Sequence, residues 1–297
     1  MASRILEFFG YGSDDTSSAA VAARRKLECP FLGSECIKTL NDRAPSGVCT
    51  LVSKKDVNVI CCPIRLYDNS YQVLRDVAVL GFGKAVDLYP GRDAKSMPVV
   101  PGRSRIAVFG KRWGGELALP NRTTSGSYYV DWILARLDEL GNLEDFLAVE
   151  VQSIDTTGNY RDHRQSLIDE TEFSGWATAG FNWENVSKRI LPQLIYKGNV
   201  LQRERLCTKG LFFVSPKPVY EKIQERLGGT MLSYHLQTGS VTFLWYDVGN
   251  AVPPGNIRPL VHMGTFTTNV TQIATAFTSP TNLPEPNVYE EAILRVL

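Results

Sequence analysis

The chain has 297 residues, of which 43% are hydrophobic and 21% are charged, so it is long enough for one large or two small folded domains. Its net charge is only +1, which excludes a globally basic nucleic-acid-binding protein and requires any DNA surface to be a local patch. No apolar run approaches the ~20 residues of a membrane span, and the N-terminus does not resemble a signal peptide. We therefore expect a cytoplasmic protein.

The first predicted element is a helix over residues 16–28, where Thr16 and Ser17 offer N-caps to an alanine-rich run. Residues 90–104 are rich in proline, glycine and charge, which predicts a long loop or linker. The sequence thus predicts an N-terminal region over residues 1–100 and a second domain over residues 101–297.

Five of the six cysteines lie between Cys29 and Cys62. In a reducing compartment such a cluster is more typical of a metal site than of disulfides. Four thiolates can close a tetrahedral structural site for Zn²⁺ or iron, whereas the alternative is a set of buried reduced thiols. The spacing is unlike that of common zinc modules but still favours a metal, and only one of Cys61 and Cys62 is needed for it.

Two carboxylates lie inside apolar segments of the second predicted domain. Strands are predicted over residues 105–109, 115–119, 127–136 and 146–154, with a turn at Gly141-Asn142 between the last two. Asp131 and Glu150 lie in these last two, and burying an unpaired charge costs several kcal/mol. If they are neighbours ~4 Å apart, they repel by ~4 kcal/mol at an effective dielectric of about 20, so the pair takes up a proton or binds metal. Solvated acids on outer strand faces are an equally compatible interpretation.

Glu150 and Gln152 project from the same face of their strand, because side chains alternate along it. An Asp followed by Glu-x-Gln is close to the Asp…(Asp/Glu)-x-Lys arrangement of Mg²⁺-dependent nucleases. Gln152 can donate a hydrogen bond but cannot act as a base or a cation. Glu116, which follows Gly114-Gly115, is a further acid in a strand-like segment.

A helix is predicted over residues 183–202, with Asn182 as a possible cap and Pro192 as a bend. An apolar stripe contains Val186, Ile190 and Leu194, and a polar stripe contains Arg189, Gln193 and Lys197. Residues 181–209 hold six lysines and arginines against two glutamates, a local net charge of +4. This favours a phosphate-facing surface over a merely solvated helix face.

The rest of the chain is predicted to mix strands and helices without a regular βαβ repeat. The expected elements are a strand over residues 211–214, a helix over 216–227, a hairpin of 232–236 with 240–247, and a terminal helix over 288–297. The predicted fold class is therefore α/β (α+β).

An ordered set of motifs carries a family resemblance. The N-terminal motifs are Glu-Phe-Phe-Gly (7–10), Cys-Pro-Phe-Leu-Gly-Ser-Glu-Cys-Ile-Lys (29–38), Gly-Val-Cys (47–49) and Cys-Pro-Ile-Arg-Leu-Tyr (62–67). The later ones are Gly-Gly-Glu-Leu (114–117), Val-Asp-Trp (130–132), the run from Val-Glu-Val-Gln to Tyr-Arg-Asp (149–162) and the run from Asn-Trp-Glu to Leu-Pro-Gln (182–193). The chain resembles type II restriction endonucleases of the group that includes NotI and EagI, in the PD-(D/E)XK superfamily.

The resemblance implies a nuclease core of a mixed sheet flanked by helices, with a small N-terminal Cys₄ module that holds iron or zinc. Asp131 and Glu150 match the family's Mg²⁺ ligands, Glu116 matches an additional acid, and Gln152 stands where most of the superfamily has lysine. The structural metal ligands correspond to Cys29, Cys36, Cys49 and Cys62. Cys62 is favoured over Cys61 because proline follows the last ligand in the family pattern.

The implied activity is Mg²⁺-dependent cleavage of double-stranded DNA at a GC-rich palindrome centred on GGCC, such as CGGCCG, by a homodimer. A cognate methyltransferase would belong to the same system without direct contact. The residues expected to contact DNA are Arg161, Lys188, Arg189, Gln193 and Lys197. Two alternatives are a non-catalytic, metal-stabilised DNA-binding protein and a mismatch or repair nuclease of the same fold. Only nucleases need Asp131 and Glu150 together.

Overall fold

The computed structural model describes residues 3–40, 43–117, 129–173, 175, 178–229, 231–283 and 285–297. The elements of the N-terminal part are β1 (Arg4–Phe8), β2 (Tyr11–Gly12), α1 (Ser18–Lys26), β3 (Glu28–Cys29), β4 (Ser34–Glu35), β5 (Val48–Val52), β6 (Asn58–Ile60), α2 (Asp68–Phe82) and β7 (Val86–Pro90). Short 3₁₀ helices occupy Pro63–Tyr67 and Ala94–Ser96.

The later elements continue in chain order. They are β8 (Ser104–Gly110), β9 (Trp132–Leu137), β10 (Leu143–Val151), β11 (Thr156–Thr157), α3 (Arg161–Ile168), β12 (Gly180–Phe181), α4 (Leu191–Leu201), β13 (Leu211–Pro216), α5 (Lys217–Arg226), β14 (Ser240–Val248), β15 (Leu260–Asn269), α6 (Val270–Thr278) and α7 (Val288–Leu294). A π-helical turn, Val186–Ile190, leads directly into α4. In the described part of the chain, none of the helices combines the length and apolarity needed to cross a bilayer.

Helix α1 forms where the sequence predicts it. The Ser17 hydroxyl accepts a hydrogen bond from the Ala20 amide at 3.3 Å, which satisfies one of the free N–H groups of the first turn. Three basic residues in the last turn complement the helix dipole, and Leu27 ends the helix in the left-handed conformation. The helix lies beside an antiparallel sheet of order β2-β1-β5-β6.

The larger sheet has seven strands in the order β15-β14-β13-β10-β9-β8-β7. The pairs β7/β8, β10/β13 and β13/β14 are parallel, and the other three pairs are antiparallel. The mixed α/β class predicted from the sequence is confirmed. Strand β7 pairs with β8 across the loop that contains the predicted boundary at residue 100, and the two-domain division stays a prediction.

Both faces of the large sheet are covered by helices. Along β10, Val149 and Val151 pack with α2, whereas Ala148 packs on the opposite face with α4, α5 and α6. Burying each such valine contributes roughly 1.5–3 kcal/mol, which explains why this strand is apolar on both faces. By the same alternation, Glu150 faces the α4 side.

Two sequence-based predictions differ from the structure. Residues 232–236 form no strand, and β14 pairs instead with β15 along nine residues, from Ser240 to Val248. The backbone N–H and C=O groups on the edge of β14 that the predicted hairpin would have paired are therefore paired with β15. The strand predicted over residues 127–136 begins only at Trp132, and its first part falls in residues 118–128, outside the described residues.

Candidate active site

Strand pairing places two carboxylates beside each other. In the antiparallel register of β9 and β10, Trp132 is opposite Val149, so Asp131 and Glu150 continue the ladder at the next position. The Val151 amide donates a hydrogen bond to Asp131 Oδ2 at 2.8 Å, which fixes this carboxylate at the end of β9. The two acids are 19 positions apart in sequence and reach the same place because the turn at residues 138–142 folds β10 back on β9.

Glu150 is buried, whereas Asp131, just before β9, is exposed to solvent. Burial and the nearby Asp131 charge raise the pKa of Glu150 to about 7, and the Lys197 charge opposes this. Desolvation by the protein atoms around it also raises the pKa of Asp131, although the side chain still reaches solvent, and the Val151 amide and Lys197 oppose this. A proton or a cation close to Glu150 lowers the energy of this pair, since two adjacent carboxylates repel each other.

Lys197 supplies one of these positive charges. Its Nζ donates a hydrogen bond to Glu150 Oε1 at 2.6 Å, and the two side chains are only 13% and 10% exposed. Glu150 Oε2 is buried without a hydrogen-bond partner in the described structure. Lys197, expected from the sequence to contact DNA, thus lies in the carboxylate site. The helical stripe indicated its face, but nothing in the sequence paired it with a glutamate 47 residues away.

Gln152 and Glu116 form no hydrogen bond or ion pair with Asp131 or Glu150 in the described part of the chain. Gln152 Nε2 donates to the carbonyl of its neighbour Ser153 at 3.1 Å. Glu116 is exposed, just before residues 118–128, in the segment that follows Gly114. Gly114 has φ +80° and lies so close to the Val108 carbonyl that a Cβ would be 1.8 Å from its oxygen, so this turn requires glycine. The roles of Gln152 and Glu116 stay predictions.

A basic cavity of about 340 Å³ opens beside Asp131. Its lining includes Asp131 and Trp132 together with three cations that the sequence analysis did not single out: Lys38, Lys111 and Arg112. Two adjacent basic residues ahead of Gly114-Gly115 were a signal for the latter two, and they lie at the end of β8 because they directly follow it in the chain. Lys38 belongs to the N-terminal region, and no sequence pattern connected it to the carboxylates.

The other residues expected to contact DNA lie on the surface. Lys188 pairs with Glu184, and Arg189 Nη2 is 3.1 Å from Asp155 Oδ2. Gln193 is exposed one turn further along the same helix face, and Arg161 is exposed at the first turn of α3. The polar stripe therefore runs from the protein surface at Arg189 to the carboxylate site at Lys197.

The four predicted thiol ligands line one small cavity of about 10 Å³: Cys29, Cys36, Cys49 and Cys62. Burial raises the pKa of Cys29 and Cys49, and that of Cys62 to about 12. Among the residues that the structure describes, however, no group of three or more histidine, cysteine, aspartate or glutamate side chains is close enough to hold a metal ion. The thiols are thus brought to one place without forming an assembled metal site.

The adjacent Cys61 has a different environment. Its Sγ accepts a hydrogen bond from Lys38 Nζ at 3.3 Å, and its carbonyl accepts from the same ammonium at 2.9 Å. Cys61 packs with Phe8 and Phe9 of the small sheet, whereas Cys62 packs with the large sheet and α2. The two neighbours therefore face different cores.

Comparison with known families decides the class of protein. The family model described as restriction endonuclease NotI matches residues 16–225, more than two thirds of the chain. The chain belongs to the NotI restriction endonuclease family. No curated protein matches it.

Membership of the NotI family makes this protein a site-specific deoxyribonuclease that acts on double-stranded DNA. The matched span includes Asp131, Glu150 and Lys197, together with all the cysteines of the N-terminal cluster. A particular likeness to EagI and placement in the PD-(D/E)XK superfamily stay predictions.

Proposed function

We propose that this NotI-family enzyme is a Mg²⁺-dependent type II restriction endonuclease that cuts a GC-rich palindrome centred on GGCC, such as CGGCCG. The observation that supports Mg²⁺ dependence is the adjacent pair of exposed Asp131 and buried Glu150, with Glu150 Oε2 left without a hydrogen-bond partner among the described residues. An unpartnered buried carboxylate oxygen is costly unless a ligand satisfies it.

The donor set fits magnesium. Mg²⁺ is usually held by one or two carboxylates and completes its shell with waters and phosphate oxygens, so a cluster of three protein ligands is not required. Asp131 and Glu150 would hold the ion, with Glu116 as an additional acid. When bound, the ion lowers the pKa of a water molecule and offsets negative charge at the phosphate.

The protein's own residues position the DNA. The cavity beside Asp131 offers Lys111 and Arg112 to backbone phosphates, and cations of this kind supply most of the sequence-independent affinity. Arg161, Lys188, Arg189 and Gln193 are exposed and would supply further DNA contacts. Arginine to guanine is the commonest specific base contact, which suits a GC-rich site.

The palindromic target implies a homodimer. Two copies related by a two-fold axis would place one carboxylate pair at each strand of a palindrome and cut both strands in one binding event. A methyltransferase that modifies the same sequence would protect the host DNA, and no direct contact with it is needed.

The N-terminal region is proposed to hold one structural iron or zinc ion through Cys29, Cys36, Cys49 and Cys62. What supports this is their shared cavity and the engagement of Cys61 by Lys38 instead. Bringing the thiols into tetrahedral contact with an ion requires a local rearrangement of the short β3–β4 ribbon and the loops around it. No catalytic step depends on this ion.

The test is a digest of plasmid DNA that contains GGCC-centred sites. We expect discrete bands with Mg²⁺, and none with EDTA or with Glu150→Gln. Glu144→Gln is the matched control, because Glu144 lies on the same strand but is half exposed and pairs with Arg136. Cleavage that persists in EDTA would overturn the metal dependence, and a smear would overturn the sequence specificity. Sequencing the cut ends gives the site and the cut position.

A further inference from the structure

We propose that Lys197, on helix α4, is the cationic catalytic residue of this active site. Its ammonium donates hydrogen bonds to the reacting phosphate or the attacking water while it stays anchored on Glu150. This inference rests on the proposed phosphodiester hydrolysis. It goes further by assigning a residue that the sequence pattern placed on the DNA-binding surface.

The geometry puts the ammonium where the reaction takes place. Lys197 Nζ is 2.6 Å from Glu150 Oε1, and the other oxygen of the same carboxylate is the unpartnered Oε2. A group that binds at Oε2 therefore lies within a few ångströms of Nζ. An ammonium has three donors, of which one is used by Glu150, so two stay available to a phosphate oxygen or a water.

The charges at the site favour the same role. Asp131 and Glu150 contribute two negative charges, and a phosphodiester adds another as it approaches. The position two residues after Glu150 is Gln152, which carries no charge and points its amide at the Ser153 carbonyl. Lys197 is the cation that contacts the carboxylate pair in the described part of the chain, and in this desolvated site its charge acts strongly.

Helix α4 holds this lysine rigidly. Leu194 and Gly198, which flank Lys197, are buried. A Cβ on Gly198 would be 2.8 Å from Val270 of α6, so the two helices are in close contact at this point. A cation on such an element is oriented before substrate binds, which is the arrangement that stabilises a transition state most effectively.

The role of Lys197 requires no change in its protonation. The water oxygen forms a bond to phosphorus while the bond from phosphorus to the leaving oxygen breaks. The attacking water releases its proton to solvent, and the leaving oxygen takes up a proton from solvent. Lys197 keeps its protons throughout and stabilises the negative charge that grows on the phosphoryl oxygens.

The test compares cleavage rate with DNA affinity for Lys197→Met. We expect the single-turnover rate at saturating DNA and Mg²⁺ to fall by about 10²–10³-fold, as on removal of one preorganised electrostatic donor. Affinity for the same duplex, measured with Ca²⁺ in place of Mg²⁺, should change by less than about 3-fold, since a single phosphate contact is at most a small part of total binding. Lys197→Arg should recover part of the rate because it keeps the charge.

A matched control is Lys222→Met, which removes an exposed lysine that pairs with Glu225 on α5 and should leave both quantities unchanged. Lys197→Gln is a second variant in which an uncharged donor remains opposite buried Glu150, and it should lose rate like the methionine variant. Thermal melting of each variant monitors folding independently of activity.

The outcomes separate the two proposals. If Lys197→Met or Lys197→Gln cleaves at the wild-type rate, the role of Lys197 is overturned while the nuclease proposal stands. If either variant loses affinity but keeps its rate at saturating DNA, Lys197 is a backbone contact only. If either variant cleaves faster than wild type, the ammonium of Lys197 in the wild-type protein competes with the metal, and the inference is again wrong. A wild-type protein with no Mg²⁺-dependent cleavage overturns the proposed function itself.

Discussion

The carboxylate site and the cysteine cavity both bury reactive side chains, but they are built from different kinds of structure. Asp131 and Glu150 lie at the ends of paired strands, and the register and helix α4 fix their position. Of the four proposed metal ligands, Cys49 lies in strand β5, but Cys29, Cys36 and Cys62 come from a short ribbon and the loops beside it, and in the described residues no three of them are close enough for a metal. Regular elements can preassemble a site, whereas a site on loops depends on its ligand to draw it together.

Each of the two regions also contains a buried lysine. Lys197 donates to a carboxylate, so its charge is neutralised directly. Lys38 donates to the Val48 and Cys61 carbonyls and to the Cys61 thiol, which are neutral partners. Burial lowers the pKa of Lys38, but Cys61 and Cys62 outweigh this and raise it when they are thiolates, so the Lys38 ammonium in turn favours thiolates in this region.

The first prediction tests the cysteine cavity by replacing the proposed metal ligands one at a time. Cys36→Ala and Cys62→Ser should each lose about one metal ion per chain and destabilise the N-terminal region, because structural metals contribute roughly 10–16 kcal/mol of apparent binding energy. Cys61→Ser should keep the metal. Elemental analysis and thermal unfolding measure both effects. Full metal content in Cys62→Ser with loss in Cys61→Ser would reverse the assignment of the fourth ligand.

The second prediction addresses the carboxylate site. Asp131→Asn should reduce the cleavage rate by at least about 10³-fold, because metal catalysis contributes several kcal/mol of transition-state stabilisation. DNA binding should be retained, since the change removes negative charge next to the basic cavity. Single-turnover cleavage and fluorescence anisotropy measure the two quantities. A variant that still cuts at a rate close to wild type would mean that the pair does not carry the reaction.

A third prediction tests whether the N-terminal region is stabilised by ion pairing independently of any metal. Arg65 and Glu7 form a fully buried salt bridge at 3.0 Å, and Thr50 also donates to Glu7. Glu7→Gln should destabilise the protein by about 3 kcal/mol in urea unfolding, since it leaves a buried guanidinium without its main counter-charge. Asp56→Asn is the control: its pair with Arg4 is exposed and should contribute less than about 1 kcal/mol.

The smallest expected effect is the pH dependence of stabilisation by Mg²⁺. The pKa of Glu150 is raised from 4.5 to about 7, so the metal-free folded state loses this group's contribution to stability as pH rises between those values. A Mg²⁺ ion bound to ionised Asp131 and Glu150 restores the stability that is lost when Glu150 ionises. At a Mg²⁺ concentration ten times the Kd measured at pH 8, the ion should raise Tm by roughly 2–4 °C at pH 8. The same concentration should raise Tm by almost nothing at pH 5. Calorimetry of wild type and Glu150→Gln measures this, and an equal shift in both proteins would contradict it.

Local sequence signals predicted several elements correctly. Ser17 caps α1, residues 138–142 form the turn between β9 and β10, and Gly228 and Gly229 have positive φ after α5. Each of these features depends on residues that are close together in the chain, so propensity and turn chemistry were sufficient. The wrong hairpin at residues 232–236 depended on a competing strand more than twenty residues further along the chain, which local patterns do not reveal.

The sequence by itself determined the family and the mixed α/β class, and it left open whether Asp131 and Glu150 are neighbours, which the register of β9 and β10 decided. Only the tertiary structure decided that Lys197 contacts Glu150 and that Lys38 of the N-terminal region lines the cavity beside Asp131. A helix stripe specifies which side chains share a face, but not what that face packs against. Contacts between distant segments depend on how the whole core packs, and that information is not contained in any local pattern.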